Sequence, residues 1–150
     1  MKVMFVCTGN TCRSAMAEYI FRKILEEKCI KNVEIYSCGI FAESGDGATF
    51  NAIETLKQYG IDISKHRATN ISESNIKDMD LILCATVSHK QLVLNMYPNL
   101  LGKVYTIKEY AYNENNQDID IKDPWGNNNE TYLLCAKEIE KALKKIVEKI

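Results

Sequence analysis

An apolar run, Val3-Met4-Phe5-Val6, ends in Cys7-Thr8-Gly9-Asn10-Thr11-Cys12-Arg13-Ser14, and an amphipathic run follows at once. This order of segments restricts the fold more than any other feature of the chain. Four consecutive apolar residues suit a strand covered on both faces, the environment of a parallel sheet. From Ser14 to Cys29, Ala17, Ile20, Phe21, Ile24 and Leu25 recur at helical spacing, while Glu18, Arg22, Lys23, Glu26 and Glu27 fall on the water side. A strand, a short polar loop and a helix N-terminus in succession make a place where unpaired amides and a partial positive charge receive an anion.

The remaining chain repeats the alternation. Strands are expected over Lys2–Cys7, Asn32–Cys38, Asp80–Ala85 and Lys103–Ile107. Helices are expected over Ala48–Tyr59, with Gly60 closing it, over Ser88–Tyr97, halted by Pro98, and over Glu130–Ile150. Ile61–Asn70 is irregular, and Tyr110–Lys122 reads as a polar loop whose part from Asn113 to Asp120 is either solvated or a rim for basic substrate segments. Strands alternating with helices imply right-handed crossovers and a parallel sheet, with ligands outside the carboxyl ends of the strands. No repeat or linker divides residues 1–150, so the fold class is α/β in a single domain.

Composition removes several functions. With 46% hydrophobic and 26% charged residues the chain is neither disordered nor fibrous. A net charge of −1 argues for no nucleic acid and no anionic membrane as partner. No apolar run reaches the roughly 20 residues of a membrane span, and the start lacks a signal-peptide cleavage site. A cytoplasmic monomer is expected. The six cysteines, Cys7, Cys12, Cys29, Cys38, Cys84 and Cys135, include no C-x-x-C, and the two histidines are His66 and His89. Reduced thiols and no metal are therefore expected.

The loop carries a nucleophile and an anion cradle. Gly9 and Asn10 both tolerate left-handed backbone, so loop amides can turn inward as a nest. Arg13 adds a planar fork for two oxyanion oxygens. The same field favours a thiolate at Cys7, and Ser14 is placed to donate to that sulfur. Attack on phosphorus needs a proton donor for the leaving group. Asp123, in Asp123-Pro124-Trp125, is the candidate: Pro124 holds it in extended backbone, and Trp125 is expected to wall the pocket and to shield the carboxyl from water. Asp123 would be acid in the first step and base, activating water, in the second.

Val6-Cys7-Thr8-Gly9-Asn10-Thr11-Cys12-Arg13-Ser14 resembles the signature of the low-molecular-weight protein-tyrosine phosphatases, and Asp123-Pro124 resembles their acid loop. Ser37-Cys38-Gly39, Gly60-Ile61-Asp62 and His66-Arg67-Ala68 fit the same pattern in order along the whole chain. The resemblance implies a three-layer domain, a four-stranded parallel sheet with helices on both faces and the phosphate-binding loop after strand one. It also implies metal-free, cofactor-free hydrolysis through a phosphocysteine. Phosphate or another oxyanion would bind at Thr8, Gly9, Asn10, Thr11, Cys12, Arg13 and Ser14, and the substrates would be phosphorylated proteins. Threonine at Thr11, where tyrosine-directed members carry a bulkier aliphatic residue, and Lys108-Glu109-Tyr110 ahead of the acid loop resemble the bacterial protein-arginine phosphatases. A phosphoarginine substrate is expected, with Thr11 and Trp125 as selectivity positions. A phosphotyrosine substrate is the alternative. Arsenate reduction on this fold is the lesser one, because it relays electrons through two further cysteines and Cys84 has no neighbour up to residue 97.

Several residues have plainer readings. Cys12 is either helix-start packing or a thiol that captures an oxidised Cys7 as a disulfide. Cys29, Cys38, Cys84 and Cys135 read as packing, His66 as a hydrogen-bonded support of the loop, and His89 as a solvated helix-start residue.

Overall fold

The computed structural model describes residues 1–113 and 119–150. Four strands form one sheet: β1 (Lys2–Cys7), β2 (Glu34–Gly39), β3 (Leu81–Cys84) and β4 (Val104–Thr106). Their order is β2-β1-β3-β4 and all pairings are parallel. The helices are α1 (Arg13–Glu27), α2 (Phe50–Lys57), α3 (Val87–Met96), α4 (Ile107–Tyr112) and α5 (Asn129–Val147). Single 3-10 turns lie at Ile71–Glu73, Ile76–Asp78 and Pro98–Leu100.

Strand alternation divides the core. Val3, Phe5 and Cys7 of β1 pack with Phe21 of α1, Leu56 of α2 and Ile139 and Leu143 of α5. Met4 and Val6 point the other way, to Ile76, Met79, Val93 and Leu100. Both faces of β1 are therefore apolar, as its unbroken apolar run requires. Each layer removes from water on the order of ten large side chains, each contributing roughly 1.5–3 kcal/mol before conformational entropy is subtracted.

Sheet order determines where the site lies. The chain leaves β1 toward β2, then returns across it to β3, so connections run in opposite directions from the carboxyl ends of β1 and β3. That reversal opens a crevice between the two strand ends. Ala85, just past β3, donates its amide to Val6 O at 2.9 Å, and its carbonyl accepts from Ile121 N at 2.8 Å. Ile121 thereby ties the segment before Asp123 to the crevice.

Three expectations change. The strand expected at Lys103–Ile107 is only three residues long, because Thr106 caps α4: its hydroxyl accepts from Glu109 N at 3.0 Å and Glu109 Oε1 accepts from Thr106 N at 3.2 Å. Glu18 does not face water. It is buried, paired with Arg22 at 2.8 Å and accepting from Ser37 Oγ at 2.5 Å. Cys29 is exposed rather than packed, since α1 ends at Glu27 and Cys29 turns the chain with φ +57°. The stretch from Asn113 to Asp120 includes residues 114–118, which lie outside the described residues.

Candidate active site

A cavity of about 220 Å³ at the carboxyl end of β1 is lined by Cys7, Thr8, Gly9, Thr11, Cys12, Arg13, Asp123 and Trp125. The loop around it is stiff because its turn is specified from several sides. Asn10 is fully buried and left-handed, φ +57°. Gly9 does not need positive φ; Asn10 alone supplies the left-handed step. Asn10 Nδ2 donates to Ser14 Oγ and Ser37 Oγ, both at 2.8 Å, and Asn10 Oδ1 accepts from Thr69 N at 2.9 Å. His66 Nε2 donates to Asn10 O at 2.8 Å, while its Nδ1 faces Tyr19 Oη at 3.3 Å. His66 is thus the loop support that was expected. Gly39 packs where a Cβ would lie 2.6 Å from Thr8 O and 2.8 Å from Asn10 N, so no side chain fits there.

This framework leaves a run of loop amides without partners. Among the described residues, the amides of Gly9, Asn10, Thr11 and Cys12 donate to no protein acceptor. Helix α1 begins at Arg13 with no side-chain cap and no acidic residue in its first turn, so its N-terminal charge is left for a ligand.

Ser14 sits 2.9 Å from Cys7 Sγ. Its oxygen already accepts from Asn10 Nδ2, so its proton is directed to Cys7 Sγ or to Cys38 O at 3.4 Å. Donation to a thiolate is the stronger of the two when Cys7 is ionised. Arg13 is buried and reaches across the cavity. Nη1 donates to Ile121 O at 2.9 Å and Nη2 lies 3.6 Å from Asp123 Oδ2. One guanidinium therefore borders the Cys7 loop and orients the Asp123 segment.

Asp123 Oδ1 accepts from Trp125 N at 3.0 Å, a turn that fixes the carboxyl's direction. The carboxyl side chain is 53% exposed and Trp125 is 67% exposed. Trp125 lines the cavity but does not shield Asp123, contrary to expectation, because its ring stands out into solvent.

Cys12 is buried, with Sγ 3.2 Å from Tyr132 Oη, 3.6 Å from Thr49 Oγ1 and 3.9 Å from Thr11 Oγ1. Burial pushes its thiol up, against the opposing effect of those hydroxyls. Cys38, Cys84 and Cys135 are buried as expected, and burial drives Cys38 up to about 12. Histidine 89 is not solvated. It is buried, with Nε2 2.8 Å from Thr8 Oγ1 and Nδ1 2.8 Å from Thr86 Oγ1. Burial first, then the Arg13 charge, holds it down at about 4, opposed by Asp120 and Asp123.

Cys7, Arg13, Asp123, Thr11 and Trp125, spread over more than a hundred residues, thus border one cavity. The supports Glu18, Thr49 and His89 escape a reading based on amphipathicity. Two left local signals: Thr86 and His89 stand at cap-and-third-residue spacing, and Glu18 lies one helical turn beyond Ser14.

A family model described as low molecular weight phosphotyrosine protein phosphatase matches residues 2–150. The protein-arginine-phosphatase of Bacillus subtilis (strain 168) is 35% identical over 150 residues, covering 100% of this chain and 97% of that protein. The low molecular weight protein-tyrosine-phosphatase PtpB of Staphylococcus epidermidis is 34% identical over 147 residues, 97% of this chain and 96% of that protein. Among solved structures, a YwlE arginine phosphatase mutant with a phosphorylated active-site serine superposes with TM-score 0.92 at 34% identity, covering 99% and 95% of the two chains. The low molecular weight protein tyrosine phosphatase from T. tengcongensis gives TM-score 0.91 at 43% identity over 100% and 99%. With the family's fold, its order of motifs and a match along its whole length, the chain belongs to the low molecular weight phosphotyrosine protein phosphatase family and is a phosphatase.

Proposed function

We propose that this phosphatase hydrolyses phosphoarginine residues in proteins through a phosphocysteine at Cys7. The observation that carries the chemistry is the single cavity bordered by the Cys7 thiol, the Arg13 guanidinium and the Asp123 carboxyl. The phosphoryl oxygens lie against the amides of Thr8 to Ser14 and the Arg13 fork. Cys7 Sγ, as thiolate, attacks phosphorus in line with the leaving nitrogen. The P–N bond breaks as the S–P bond forms, and Asp123 gives its proton to the departing guanidine nitrogen. Water then enters, Asp123 takes its proton, the new P–O bond displaces sulfur, and phosphate leaves with Cys7 again a thiolate held by Ser14. A relative carrying a phosphorylated active-site serine supports a covalent step.

The substrate reading rests on Thr11, which lines the cavity and whose hydroxyl can accept from a guanidinium N–H, and on relatives named protein-arginine-phosphatase. Phosphotyrosine is the second reading, favoured by 43% identity to a solved protein tyrosine phosphatase. Hydrolysis of phosphoarginine and phosphotyrosine peptides, compared side by side with Cys7→Ser as blank, decides between them. A higher kcat/KM on phosphoarginine is expected; a higher value on phosphotyrosine overturns the substrate and leaves the thiol chemistry in place.

Cys12 has a second role in this reading. Peroxide oxidises the Cys7 thiolate to a sulfenic acid, and the Cys12 thiol attacks that sulfur, forming a disulfide with loss of water. The new disulfide is reducible by thiols, which spares Cys7 from higher oxidation.

A further inference from the structure

The His89–Thr8 pair, buried at its His89 end, has no part in the scheme above, yet it ends at the cavity wall. Thr8 Oγ1 is within 2.8 Å of His89 Nε2, and Thr8 itself is exposed and lines the cavity. We propose that Thr8 is a second substrate-reading residue, contacting the guanidinium beside the phosphoryl group, and that His89 is the positioning residue that aims it. The substrate named here rests on the phosphoarginine reading.

Hydrogen-bond accounting assigns the tautomer. Thr86 caps α3: its Oγ1 accepts from His89 N at 3.2 Å and lies 2.8 Å from His89 Nδ1. With the cap lone pair already used, the arrangement that employs every polar atom has the Thr86 hydroxyl donating to Nδ1. Nε2 then carries the proton and donates to Thr8 Oγ1. The opposite tautomer leaves the Thr86 proton with no acceptor among the described residues. The imidazole is neutral at pH 7, which both arrangements require; the charges that face it are Arg13 from the loop and Asp120 and Asp123 from the acid loop.

The consequence is directional. A threonine on a loop rim ordinarily samples its rotamers, and its hydroxyl and methyl exchange places. Here the imidazole holds Oγ1 on one side, with one lone pair taken. The other lone pair and the hydroxyl proton remain for the cavity. A guanidinium offers N–H donors in a plane and its phosphoryl group offers acceptors, so a fixed hydroxyl can serve either. A phenyl ring offers neither at that position. Thr8 and Thr11 would then present two hydroxyls to the same planar cation, in a cavity that Trp125 also lines.

The test is a mutant cycle of Thr8→Val, His89→Ala and the double variant, with His89→Gln, whose side-chain amide can replace the Nε2 donor. The readouts are kcat and KM on phosphoarginine and phosphotyrosine peptides. One neutral hydrogen bond corresponds to about a two- to tenfold effect. Thr8→Val and His89→Ala are each expected to raise KM for phosphoarginine by that factor with kcat within about twofold. The double variant should be no worse than the poorer single, His89→Gln should recover, and KM should rise less for phosphotyrosine than for phosphoarginine. Effects that multiply, a Gln variant no better than Ala, or equal KM losses on both peptides overturn the proposal. A long-range proton–nitrogen NMR spectrum of wild type reads the His89 tautomer without activity: Nε2–H is expected, and Nδ1–H refutes the assignment. If wild type does not hydrolyse phosphoarginine, the substrate reading fails, whereas the tautomer and the Thr8–His89 coupling are judged separately by the spectrum and the cycle.

Discussion

Replacing Asn10 tests whether the loop is held from within or merely by its surroundings. Its left-handed backbone costs an alanine roughly 1 kcal/mol or more. Removing its side chain leaves the Thr69 amide without its acceptor and Ser14 and Ser37 without their donor, together about 2 kcal/mol when each partly rehydrates. Asn10→Ala should therefore destabilise the fold by about 3 kcal/mol, a drop in Tm of roughly 6–12 °C for a domain of this size. Asn10→Gly loses the same hydrogen bonds but not the backbone freedom, so it should lie about 1 kcal/mol above the alanine variant. Urea unfolding of the three proteins gives both differences. An alanine variant within 1 kcal/mol of wild type, or a glycine variant less stable than the alanine one, refutes the reasoning. Both variants should also lose kcat, since Ser14 is no longer directed at Cys7.

Four further outcomes follow from the same geometry. Asp123→Asn should lower kcat about 10²–10⁴-fold, most for the poorest leaving groups, in steady-state assays. Thr11→Ile should shift preference toward phosphotyrosine in paired peptide assays, and no shift removes Thr11 as selector. After peroxide, Cys12→Ser should recover less activity with thiol reductant than wild type; equal recovery rules out the protective disulfide. Because His89 is held at about 4 in the folded protein against 6.5 unfolded, its neutral form stabilises fully above pH 6.5. That contribution, on the order of 3 kcal/mol, is lost as pH falls to about 4, and His89→Gln should flatten this acid limb in thermal melts.

Much of the site was legible because its chemistry is local in sequence. Cys7 to Ser14 carries thiol, turn, cation and helix start within one loop, and the apolar runs of β1 and β3 announce a sheet covered on both faces. Asp123 was legible through Pro124. Glu18, Thr49 and His89 were not, because each is polar and sits on a segment read by amphipathicity alone. Glu18 lies on what a helical wheel assigns to solvent, yet β2 brings Ser37 against it. His89 looks like an exposed helix start until the sheet reversal sets α3 beside Thr8. Helix α4 was missed although Thr106 and Glu109 form a capping box, because the residues after it are rich in Asn and Asp and mask the short periodic segment. Trp125 is the opposite case: an aromatic beside the acid suggested a sealed pocket, and the turn at Asp123 instead leaves the ring outside.

The central claim is that phosphorus passes from a guanidine nitrogen to Cys7 Sγ. Rapid quench with denaturant at mildly alkaline pH during turnover of a phosphoarginine peptide, followed by mass spectrometry of the Cys7-containing fragment, tests it directly. This fragment should gain one phosphoryl group on Cys7 at early times and lose it as substrate is exhausted. Steady hydrolysis of phosphoarginine with Cys7 never labelled would contradict it.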